Sequence, residues 1–184
     1  MSAVAGFVRG VDALNDWIGR CVSWLTLAMV LVTCLVVILR YGFSIGWVWM
    51  QESYVWMHGL VFMLGAAYTL LHEGHVRVDI FYRPASARYQ ALVNLCGSLL
   101  LIMPVVALVA WESYPYVMAS WSKLESSREA GGLEGLYLLK TVLLVFCVLV
   151  GLQALSMAAR SALILSGHPE FIPSEEELQE EIGP

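Results

Sequence analysis

Four stretches of 19 to 21 residues run without a single Asp, Glu, Lys or Arg: Cys21–Leu39, Ser53–Leu71, Ala91–Trp111 and Thr141–Ala159. As helices rising about 1.5 Å per residue, each reaches roughly 30 Å, the thickness of a bilayer's hydrocarbon core. Only a helix or a closed barrel satisfies its own backbone in lipid. The predicted fold is therefore an all-α membrane protein with four transmembrane helices. These spans leave no room for a separate soluble domain in 184 residues. We divide the chain into a four-span membrane domain, residues 1–165, and an acidic tail, residues 166–184, in which Glu175, Glu176, Glu177, Glu180 and Glu181 cluster. Such a terminal charge run is ordinarily a solvated end.

The first apolar run is long, starts only at Cys21 and is followed by Arg40-Tyr41, not by a small-residue cleavage site. It reads as a retained span and not as a cleaved signal peptide. With four spans, both termini share a side with the middle loop, residues 72–90. That side carries Arg9, Arg20, Arg77, Arg83, Arg88 and Arg160; the other carries Arg40, Lys123, Arg128 and Lys140. The positive-inside rule places both termini in the cytoplasm.

The segment from Arg40 to Glu52 is dense in aromatic residues, which suits the headgroup layer. Glu52 opens the second span, where a carboxylate would meet the positive end of the helix dipole. Arg40 and Glu52 either pair across the connection or act as independent boundary charges. In residues 112–140, Tyr114, Val117, Met118, Trp121 and Leu124 recur at helical spacing. That predicts an amphipathic helix lying in the interface plane, broken at Gly131-Gly132. In the middle loop, His75, Arg77 and Asp79 alternate with apolar residues, the period of an extended segment with one wet face.

Inside the spans, Asn94, Gly97 and Ser98 share one helix face, and Gly151, Ala154 and Ala158 another, with Gln153 beside it. Small residues permit close helix approach, and amides hydrogen-bond across helices. Pro104 is expected to kink the third span. Cys21, Cys34, Cys96 and Cys147 form no Cys-x-x-Cys pair and read as apolar filler.

His58 is the one histidine well inside a span, and His58 and His72 lie fourteen residues apart. That spacing admits a haem-binding membrane anchor of a redox enzyme, but axial ligation needs a histidine on a facing helix, and the other spans have none. No catalytic, metal or cofactor site is assigned. A phosphate-cradling glycine loop is missing, so the chain does not hydrolyse ATP. Nothing points to a nucleic-acid partner. No acidic or basic residue occupies mid-depth, where ion-coupled carriers place one. A self-contained homo-oligomeric carrier is the remaining rival to a scaffold that works with partners.

Arg40-Tyr41-x-Phe43 closing the first span, Trp47 to Glu52 before the second, Gly65-Ala66-Ala67 within it, and then His75-Val76-Arg77-Val78-Asp79 resemble the small, DctQ-like membrane subunit of tripartite ATP-independent periplasmic (TRAP) transporters. The resemblance is strongest over residues 35–83. It implies a bacterial inner-membrane protein, not an enzyme, in contact with membrane lipids. It also implies a large multi-span permease partner that carries an organic acid with sodium ions by an elevator motion. A soluble periplasmic binding protein delivers the substrate, and the small subunit enlarges the fixed scaffold. Carried over by position, Arg40, Tyr41, Trp47 and Glu52 would organise the periplasmic end. His75, Arg77 and Asp79 would fix the cytoplasmic end of span two and contact the partner.

Overall fold

The computed structural model describes residues 2–76, 82 and 84–168. Arg77, Asp79, Arg83 and the acidic tail from residue 169 onward lie outside the described residues. Among the described residues all regular structure is helical. The helices are α1 (Ser2–Phe43), α2 (Val48–Leu71), α3 (Ala87–Ser122) and α4 (Leu136–Leu165), each long and apolar enough to cross a membrane.

Each helix contains one charge-free stretch and overruns it, α2 by only five residues and the others by more. At 1.5 Å per residue, α1 is about 63 Å long, α3 about 54 Å and α4 about 45 Å, against a hydrocarbon core of about 30 Å. The reason in α1 is a seam that ignores the charges beside it. Val8, Val11, Asn15, Ile18, Val22, Leu25, Met29, Val32, Val36 and Leu39 alternate in steps of three and four and form the less exposed face throughout. A 3.5-residue repeat keeps one stripe against neighbouring helices. Residues 2–20 therefore continue the first span as a rod.

Residues 112–122 likewise prolong the third span instead of forming a separate helix in the interface plane. Of the predicted stripe only Val117 is buried there; Tyr114, Met118, Trp121 and Leu124 are exposed. Pro104 is absorbed by a π-helical stretch, Gly97–Ile102, within α3. Proline has no N–H to donate and its ring crowds the carbonyl four residues back. The widened turn takes up that misfit, with the Met103 N–H reaching the Ser98 carbonyl five residues back.

The helices stop without proline. Gly74 N–H bonds the Thr69 carbonyl, Glu125 N–H that of Ser120, and His168 N–H that of Leu163. Each bond spans a residue in the left-handed region: Glu73, Leu124 and Gly167. This is the Schellman closure, which satisfies carbonyls that the helix end leaves free.

Ala67, Val106, Cys147, Leu149 and Val150 form the bundle core, flanked by Ile18, Leu64 and Phe146. Most of its members come from α4, which packs on all three other helices. Gly151, Ala154 and Ala158 are buried on α4 as the small-residue pattern predicts, and Ser98 is buried on α3. Close approach also occurs at Gly19 of α1, where a Cβ would land in the ring of Tyr68 on α2.

Candidate functional site: polar clasps at the two ends of the bundle

The overrunning part of α1 carries carboxylates to the end of α4. Asp12 accepts from Gln153 Nε2 at 3.0 Å and from Ser156 Oγ at 2.9 Å, and it pairs with the Arg160 guanidinium. One turn on, Asn15 donates from Nδ2 to Gln153 Oε1 at 2.7 Å. Asn15, Gln153 and Ser156 are at most 3% exposed. The Gln153 amide thus bridges two α1 side chains, using its oxygen for Asn15 and its nitrogen for Asp12. Within this network the Asn15 Oδ1 alone is buried without a partner.

Asp16 makes the second link at this end. It pairs with Arg20 one turn along at 2.8 Å and meets His72 Nε2 at 3.2 Å. His72 closes α2 and packs on Tyr68, ring centroids 4.3 Å apart. Tyr68 in turn covers Gly19. One helical turn, from Asp12 to Asp16, therefore ties α1 to both α4 and α2.

The opposite end is built around Glu52. α2 begins at Val48, so Glu52 sits beyond the first turn, where the helix dipole has faded. Its carboxylate instead receives the Ser127 hydroxyl and the Leu133 N–H from the α3–α4 connection. That connection is closed on itself by Ser127 N–H to the Leu133 carbonyl at 3.1 Å and Gly132 N–H to the Glu129 carbonyl at 3.0 Å. Gly132 is required there, because a Cβ would strike both Ser127 and the Glu52 carboxylate. Of the two readings for Arg40 and Glu52, independence fits: Glu52 is engaged by the loop and Arg40 is exposed.

Beside it, Lys140 at the start of α4 pairs with Glu125 and lies over the Tyr116 ring, 4.1 Å from its centroid. Trp121 donates from Nε1 to Thr141 Oγ1 at 2.8 Å and packs edge-on against Tyr137 at 4.6 Å. The hydrogen bond from Lys140 holds the Glu125 carboxyl below its ordinary value of 4.5.

The sequence-predicted residues divide. Glu52 is central to a clasp. Arg40 and Tyr41 stand at the exposed end of α1, Tyr41 82% exposed, and Trp47 precedes α2 beside Trp49, ring centroids 6.4 Å apart. His75 is exposed, with Nε2 3.3 Å from the Ala66 carbonyl. Arg77 and Asp79 lie outside the described residues. Asp12, Asn15 and Asp16 escaped the sequence reading, which began the first span at Cys21. The signal was present: Val8, Val11, Asn15, Ile18 and Val22 already show helical spacing ahead of that point. His58 and His72 do not form a facing pair, since both are on α2 and His72 is held by Asp16.

These clasps hold helices together. A family profile described as tripartite ATP-independent periplasmic transporters, DctQ component, matches residues 29–163. The chain belongs to this family. It is a transporter component and not an enzyme, and DctQ components reside in the inner membrane. The match takes in the second half of the first span and the other three spans; of the first clasp, Asp12, Asn15 and Asp16 lie outside it and Gln153, Ser156, Arg160 and His72 inside it. No curated protein and no solved structure matches the chain.

Proposed function

We propose that this DctQ component is the stationary membrane subunit of a sodium-coupled, binding-protein-dependent importer of organic acids, supporting a large permease that performs the movement. One observation carries the reading: the acidic and basic side chains bond at the two helix ends, while the core between them consists of Ala67, Val106, Cys147, Leu149 and Val150. A bundle whose described residues include no Asp, Glu, Lys or Arg at mid-depth offers an ion no formal charge there. Clasps at both ends suit a body that keeps its shape while a partner moves against it.

In this reading both termini and the Asp12 clasp are cytoplasmic, and Arg40, Tyr41, Trp47 and the Glu52 clasp are periplasmic. The aromatic 40–52 segment and the far end of α3 then face the binding protein or the surface beside it. His75, Arg77 and Asp79 contact the large permease at the cytoplasmic end. Reversing the charge of Arg77 or Asp79 is expected to reduce co-purification of the permease; unchanged recovery counts against the assignment.

The deciding experiment is reconstitution. Vesicles holding this chain alone are expected to take up no organic acid. Adding the large permease, the binding protein and an inward sodium gradient is expected to start uptake. Transport by the isolated chain would refute the supporting role.

A further inference from the structure

Nearly every Ser, Thr, Asn and Gln side chain within the charge-free stretches has a hydrogen-bond partner. Thr33 donates to the Met29 carbonyl, Ser53 to Met50, Thr69 to Gly65 and Ser98 to Asn94. Asn94 donates to the Tyr82 hydroxyl, and Gln153 is in the Asp12 clasp. His58 differs. It is exposed on α2 and makes no hydrogen bond among the described residues; its one ring contact is Phe62, centroids 6.4 Å apart. Its level is about 9 Å from that of Glu52 along the helix, too far for a short imidazole to snorkel to the headgroups.

An imidazole facing acyl chains leaves a donor and an acceptor without partners, at a cost of several kcal/mol on hydrocarbon scales. Ionisable residues within membranes face protein or a wet cavity and not lipid. The neighbouring residues point the same way. Val55, His58, Phe62 and Gly65 fall at steps of three and four, so they form one outward stripe. A Cβ on Gly65 would meet nothing within 4 Å, and an outward glycine lets another helix approach closely. The face toward α4 is a different one, marked by Gly59 against Leu139.

We propose that the α2 stripe Val55–His58–Phe62–Gly65 docks against the large permease, which presents a hydrogen-bonding group to the His58 imidazole. This rests on the supporting-subunit reading, which supplies a second membrane chain as the occupant. Lipid supplies no acceptor at that depth.

The test places a photo-reactive residue at Val55 or Phe62, and at Leu101 or Leu108 on the exposed side of α3 as controls, with the chain co-expressed in membranes with its large permease. Adducts containing permease peptides are expected from the α2 positions and not from the controls. His58→Leu is expected to lower permease recovery about tenfold, the weight of one intramembrane hydrogen bond. His58→Gln is expected to retain most of it. The melting curve of the isolated chain is expected to stay unchanged in both variants. Adducts only with lipid or with a second copy, adducts from the α3 positions alone, or full recovery with His58→Leu would each overturn the docking face. If the wild-type chain fails to co-purify with the permease at all, the supporting-subunit reading falls, and the docking face with it.

Discussion

Three side chains, Gln153, Ser156 and Arg160, converge on Asp12. Removing one partner from such a group leaves the others facing a desolvated gap, a loss of about 1–3 kcal/mol. Asp12→Ala is therefore expected to lower the midpoint of thermal unfolding in detergent. A double-mutant cycle with Arg160→Gln should return a coupling of about 0.5–3 kcal/mol, because the two side chains touch; simple additivity would remove the pair from the network. Gly19 makes a steric prediction. Gly19→Ala drives a methyl into the Tyr68 ring, and overpacking of this kind costs about 1–3 kcal/mol. The melting temperature is expected to fall, with partial recovery in Gly19→Ala/Tyr68→Ala. Glu125 makes a pH prediction. Its carboxyl titrates lower in the folded chain than in the unfolded one, because of Lys140. Its contribution is thus in place above about pH 4.5 and is lost as pH falls through the depressed folded value. Lys140→Met should flatten that loss in melting curves recorded between neutral and acidic pH.

At the scale of the helix, the charge-free runs located all four spans because hydrocarbon tolerates little else, and this constraint is legible without any structure. What they could not locate is where a helix ends once it leaves lipid. There the limit is set by packing and capping. Asp12 and Asp16 interrupt the apolar composition of α1 but not its three-four seam, so a reading based on charge stopped at Cys21 while the helix continued back to Ser2. The amphipathic pattern of residues 114–124 was legible too, yet pattern does not say whether an apolar stripe meets a membrane surface or a neighbouring helix. Here Val117 is buried and Trp121 bonds Thr141 on α4, while Tyr114, Met118 and Leu124 stay exposed. The Glu52 clasp joins residues 75 or more apart in sequence, and no local signal encodes such a pairing. An element-scale prediction follows from α1. Deleting residues 2–16 spares every span but leaves Gln153, Ser156 and Arg160 without their partners. The truncated protein is expected to insert in the membrane, and its α4 end is expected to lose protection in hydrogen exchange.

For the whole molecule, α4 is the common member. Its Gln153, Ser156 and Arg160 take hold of α1 at one end, and Lys140 and Thr141 take hold of α3 and its connection at the other. The two grips are separated along one continuous rod by roughly the thickness of the hydrocarbon core. A push on the loops at the Glu52 end would thus reach the opposite leaflet through a single uninterrupted strut, with little room for the bundle to shear.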